Sequence, residues 1–115
     1  MTVYYLNGSA QVGQTVTGVG QTIPMQNQIS GGFVNPPTQS FMAVVTGTGS
    51  VSATIQPQGS NDGVSWINIG SGITIASGAS PQIGTEISNV TYQYYRSNVT
   101  ALTGTNASVT TTMAV

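Results

Sequence analysis

The stretch Phe41-Met42-Ala43-Val44-Val45-Thr46-Gly47-Thr48-Gly49-Ser50-Val51-Ser52-Ala53-Thr54-Ile55-Gln56 decides the fold class. Val51, Ala53 and Ile55 alternate with Ser52, Thr54 and Gln56, a period of two that sets one face of a β-strand against a core and the other in water. Phe41 to Thr46 is a second apolar, β-branched run, and Gly47-Thr48-Gly49 between the two supplies residues suited to a turn. The expectation is a β-hairpin with Phe41, Val45, Val51 and Ile55 inside.

The same chemistry returns near the C-terminus. Asn98 to Leu102 and Ala107 to Val115 flank Thr103-Gly104-Thr105-Asn106, with Val109, Thr111 and Met113 on one face. A second hairpin is expected there, with Val99 and Val109 in the core. The likeness of the two Thr-Gly-Thr segments is repeated turn chemistry, since both hold residues that tolerate positive φ.

Between these runs lies Gln58-Gly59-Ser60-Asn61-Asp62-Gly63-Val64-Ser65-Trp66-Ile67-Asn68-Ile69-Gly70. Asp62-Gly63 is a favoured turn pair, and Trp66, the lone tryptophan, is expected to cap or fill the core. Ile73 and Ile75 alternate with Thr74 and Ala76 before Ser77-Gly78-Ala79-Ser80-Pro81 breaks the pattern, and Tyr92 to Val99 reads as an aromatic strand. Helix should be nearly absent. The pattern predicts an all-β protein, a single antiparallel β-sandwich of jelly-roll type with about eight strands.

The region before Asn35-Pro36-Pro37 is richer in Gln, Gly and Thr, and the double proline marks a change of direction. Residues 1–37 are separated on this basis from a sandwich core at 38–115, the whole forming one folding unit. Strands are expected at Val3 to Leu6, Gln11 to Thr17 and Gln28 to Val34. Two readings stay open: edge strands that complete the sandwich, or an extended arm laid over a neighbouring subunit. Tyr4, Tyr5, Met25 and Phe33 are the candidate interface residues of this region.

The charge inventory constrains function. Of 115 residues 3% are charged, namely Asp62, Glu86 and Arg96, giving a net charge of −1 with no histidine and no cysteine. A single arginine cannot supply the counterion release on which nucleic-acid binding rests. Serine nucleophiles lack a histidine or lysine base, and zinc lacks its usual ligands. Asp62 and Glu86 are the one carboxylate pair open to glycoside hydrolysis, and Asn61 with Asp62 the one start of a calcium site, but Asp62 is better explained by its turn. Arg96 is expected to pair with Glu86 or stack on Tyr92 or Tyr94. No catalytic residue, cofactor or metal is therefore assigned, and the chain reads as a non-enzyme.

Apolar runs are far shorter than the roughly 20 residues of a membrane-spanning helix, and Met1 to Gly8 lacks the features of a secretory signal, so synthesis in a cytoplasm is expected. Without such a signal the Asn-x-Ser/Thr triplets at Asn7, Asn89, Asn98 and Asn106 read as unmodified. A surface with so little charge favours self-association and docking onto other proteins.

The runs Ala53-Thr54-Ile55-Gln56, Ser60-Asn61-Asp62-Gly63-Val64-Ser65-Trp66 and Tyr94-Tyr95-Arg96-Ser97-Asn98-Val99-Thr100-Ala101-Leu102-Thr103-Gly104-Thr105 resemble small β-sandwich modules of bacteriophage virion proteins, over roughly the last two-thirds of the chain. The resemblance implies a virion structural protein: a capsid decoration or cement protein bound to a capsid lattice, or a tail or head-fibre subunit forming homo-oligomers. Ser-Asn-Asp-Gly-x-x-Trp also resembles an element of discoidin-like sandwiches, where it is structural. A carbohydrate-binding module is the alternative of another class, with an exposed Trp66 beside tyrosines as its sign.

Overall fold

The computed structural model describes residues 3–7, 13–24 and 38–114. Met25, Phe33 and the strand expected over 28–34 lie outside them. Eight strands follow in order: β1 (Val3–Tyr5), β2 (Gly18–Val19), β3 (Ile23–Pro24), β4 (Gln39–Ser60), β5 (Ile67–Asn68), β6 (Ile73–Ala79), β7 (Gln82–Ser88) and β8 (Tyr94–Ala114). All belong to one antiparallel sheet, and no helix occurs among the described residues.

Neither expected hairpin forms. β4 runs for 22 residues straight through Gly47-Thr48-Gly49, and β8 for 21 residues straight through Thr103 to Asn106. The two strands pair with each other, and the turn-like segments meet across the ladder at Thr46↔Ser108, Thr48↔Thr105 and Ser52↔Thr103, where the register shifts. Gly49, Gly104 and Asn106 hold φ of 77°, 137° and 53°. Residues that allow a chain to reverse also allow a strand to bend, and facing strands with matched permissive segments bend together while their ladder continues on both sides. Gly47 and Gly104 also leave room at the corner, since a Cβ added at either would stand 2.9 Å from Val51 Cγ1.

The bend folds the ribbon back on itself. A straight strand of 22 residues would span roughly 70 Å, yet the longest dimension of the molecule is 48 Å. Phe41 pairs with Met113 at one end of the ribbon and Tyr95 with Gly59 at the other, but the Phe41 and Tyr95 rings lie 6.0 Å apart. The sheet is curled, with its core between the two halves. Phe41, Val45, Val51, Ile55, Ile73, Ile75, Val99 and Val109 are buried there as expected, joined by Leu6, Tyr95 and Met113. Each large aliphatic or aromatic side chain so buried contributes about 1.5–3 kcal/mol before entropy is counted.

The N-terminal strands line the outer edge of β8, through Tyr4↔Met113, Gln14↔Val109, Gly18↔Val99 and Ile23↔Tyr95. In its described part, the 1–37 region thus behaves as edge strands of the same sheet. The strand expected over Gln11 to Thr17 is reduced, where described, to an isolated bridge at Gln14, and the ladder resumes at Gly18. Gln21 donates its backbone N–H to the Leu6 carbonyl at 2.9 Å and its side-chain amide to the Tyr5 carbonyl at 2.7 Å, lacing the two halves together on this side.

The other edge of β4 carries β7 along one half of its length and β6 and β5 along the other. β6 continues through Ser77 to Ala79, where a break was expected. β7 escapes the alternation rule because its isoleucines point outward, with Ile83 and Ile87 exposed, while Gly84 and Glu86 take the inward positions.

Candidate interfaces on the two outer faces

The turn at Ser60 to Ser65 is built around Asp62. Its Oδ1 accepts hydrogen bonds from the N–H groups of Val64 (2.8 Å) and Ser65 (2.7 Å) and from the Ser60 hydroxyl (2.9 Å), while Gly63 takes a φ of 75°. These donors, the Ser65 and Val64 amides first, hold the carboxyl below its ordinary 3.8, at about 2. Asn61 Oδ1 accepts the Gln93 N–H at 3.3 Å, so the oxygens considered for calcium are engaged in local structure. Among the described residues no three His, Cys, Asp or Glu side chains gather as metal ligands. Glu86 turns inward toward the chain at Gly70, where an added Cβ would lie 2.6 Å from its Oε2.

Because the folded pKa of Asp62 is depressed, the stability it contributes is complete above the unfolded value of 3.8 and is lost as the pH falls toward about 2. Wild type should therefore be more stable than Asp62→Asn near neutrality, with the gap closing across that window. Denaturant titrations at stepped pH check this. Only one other acidic side chain is present to blur the result.

Trp66 does not fill the core. It is half-buried beyond the turn, where the chain emerges on the outer face, and Tyr95 and Phe41 are the large aromatic residues inside. Arg96 neither pairs with Glu86 nor stacks on a tyrosine as expected: its guanidinium carbon lies 4.1 Å from the centre of a Trp66 ring, and its Nε donates to Gln58 Oε1 at 2.7 Å. Gln58 Nε2 in turn donates to Asn68 Oδ1 at 2.9 Å, and Gln56 Nε2 to the carbonyls of Pro57 and Ile69, each at 2.9 Å. This outer face is an amide network under one cation and one indole. Its polar groups are largely spent on each other, and a guanidinium covers one face of the ring.

The outer face of the other half has a different character. The register sets Ile87, Ser40, Ala114 and Val3 in one cross-strand row and Thr85, Met42, Thr112 and Tyr5 in the next, with Ile83, Val44 and Thr110 in a third. Ile83, Ile87, Met42 and Val3 are 59%, 55%, 45% and 51% exposed. These rows hold no charged side chain and cross four adjacent strands. Large exposed apolar residues are unremarkable singly, but several on one sheet face make it a candidate interaction surface. Tyr5 belongs to this face, half-buried, whereas Tyr4 packs against the core. The interface residues named from the sequence all lie in 1–37, and of these Tyr5 alone falls in the rows; alternation flagged only the buried positions of β4 and gave no strand at β7.

No family model matches the chain, and neither a curated protein nor a solved structure with significant similarity to it was found.

Proposed function

We propose that this chain is a non-enzymatic structural protein that docks onto a larger assembly through the outer face of β7, β4, β8 and β1. The observation that carries the reading is the row pattern just described: four strands wide, apolar and threonine-rich, without charge. The partner surface that fits it is equally poor in charge, because burying an unpaired ion against it would be costly. Within this reading the sequence resemblance favours a virion component, specifically a decoration or cement protein on a capsid lattice, and next a tail or head-fibre subunit. The jelly-roll sandwich belongs to the same proposal, the two facing halves of the curled sheet serving as its layers. Carbohydrate binding fits less well, since Arg96 takes one of the two ring faces of Trp66 on which a sugar would stack.

Co-sedimentation of the purified chain with capsids from the same source tests the proposal. Binding should persist from low to molar salt, since Debye screening acts on charges and this face carries none. Met42→Lys, in the middle row, should weaken binding by at least tenfold while leaving the fold intact, because Met42 is 45% exposed and its replacement can reach water. Failure of wild type to bind, or equal binding by the variant, would remove this face from consideration.

A further inference from the structure

The backbone directions around β7 follow from its neighbours. The Leu6 N–H bonds the Thr111 carbonyl at 2.8 Å, and Gln14 and Val109 exchange both bonds. In this half of β8 the odd-numbered residues therefore face away from β4 and the even-numbered ones toward it. Through Ser40↔Ala114, Met42↔Thr112 and Val44↔Thr110, the even residues of β4 are spent on β8. The odd residues Phe41, Ala43 and Val45 are then left to bond Glu86, Gly84 and Gln82 of β7. The N–H and C=O groups of Ile83, Thr85 and Ile87 consequently point out of the sheet. The Ile87 N–H agrees, donating to Glu86 Oε1 at 3.0 Å instead of to β4. Among the described strands β7 pairs with β4 alone, and none of them takes up this edge.

Edge strands that stay single are usually guarded by charged side chains, lysine above all, by proline, by a bulge or by an inward-pointing charge. Of these β7 has one, the inward Glu86. The run Ile83-Gly84-Thr85-Glu86-Ile87 has no lysine, no proline and a regular register with β4. It is also complementary to itself. Turned antiparallel about Thr85, Ile83 lies opposite Ile87 of a second copy, and Glu86 lies opposite Gly84, so the two carboxylates do not face each other and each meets the smallest residue. We infer that β7 pairs with β7 of a second copy of this chain around a two-fold axis at Thr85, joining two curled sheets edge to edge. Thr85 meets Thr85, and Ile83 meets Ile87, as hydrogen-bonded pairs, each exchanging two bonds, with the Ile87 N–H passing from Glu86 Oε1 to the second copy. The outward side chains of both copies then lie on one side, and the uncharged outer face continues across the axis at double width. The pairing does not depend on what that face docks to, and such an interface is isologous and closes at the dimer.

Light scattering on the full chain, with backbone amide exchange followed by NMR at low and high concentration, tests the pairing. The expected result is a dimer in which the Ile83, Thr85 and Ile87 amides gain protection as concentration rises. Thr85→Pro should halve the mass with little change in monomer melting temperature, because the N–H it removes takes no part in the ladder with β4. Should that variant misfold, Ile83→Lys serves, with dimer affinity expected to fall at least tenfold. A monomer at millimolar concentration, or a dimer that survives in folded variants, overturns the inference. Protection of these amides that is independent of concentration does so too, since it would mean that the chain's own residues cover the edge.

Discussion

Tyr95→Ala is expected to lower stability by about 4 kcal/mol, a large share of the roughly 5–15 kcal/mol that holds a domain of this kind together. Tyr95 is fully buried at the place where the two ends of the folded ribbon meet. Its ring packs 6.0 Å from Phe41 and 6.1 Å, edge on, from Tyr92. Its hydroxyl accepts the Tyr92 N–H at 2.8 Å and donates to Gln39 Oε1 at 3.1 Å, while burial pushes its pKa up and keeps the proton in place. Truncation leaves a ring-sized cavity and a backbone donor without its acceptor. Tyr95→Phe removes only the second term and should cost about 1–2 kcal/mol. Denaturant unfolding of the two variants separates packing from hydrogen bonding. A loss below about 1 kcal/mol for the alanine variant would mean that the ends of the ribbon do not pack as described.

The strand character and the core were legible in the sequence because burial follows parity along both long strands. Phe41, Val45, Val51 and Ile55 share one parity through the bend, as do Val99 and Val109, and all are buried. The architecture was not legible, for a specific reason. Gly47-Thr48-Gly49 and Thr103-Gly104-Thr105-Asn106 carry the same local signal whether the chain reverses or bends. What selects bending is that the two segments face each other from strands about 60 residues apart, a non-local fact. For Trp66 the sequence left capping and filling of the core open, and its position after the Asp62 turn, where it is half-buried, rules out filling. β7 was missed because the alternation rule assumes that apolar means inward. In β7 the rule inverts, and the inverted strand carries both the proposed docking face and the edge proposed to pair.

Gly20→Ala is expected to be nearly as damaging as the loss of the Tyr95 ring, at about 3 kcal/mol, although no local feature distinguishes Gly20 among the 15 glycines. A Cβ there would overlap the Leu6 carbonyl oxygen and stand 2.9 Å from its carbon, both backbone atoms that no rotamer change can move aside. Leu6 cannot retreat cheaply. Its side chain is fully buried, its N–H bonds the Thr111 carbonyl at 2.8 Å, and its carbonyl takes the Gln21 N–H at 2.9 Å. Gly20 is itself held by its N–H to the Ser97 carbonyl at 2.9 Å, so the clash falls between two anchored segments just past β1 and β2, one in each half of the curl. The least costly relief is to open the lace, which gives up the Gln21 bonds and exposes Leu6. Amide exchange should then accelerate at Leu6 and Gln21 while Phe41 and Val109 in the central ladder stay protected, with a fall in melting temperature of roughly 10 °C. An unchanged melting temperature would mean that the two halves are not joined along this side, and the curl would then depend on the Tyr95 contacts and the shared core alone.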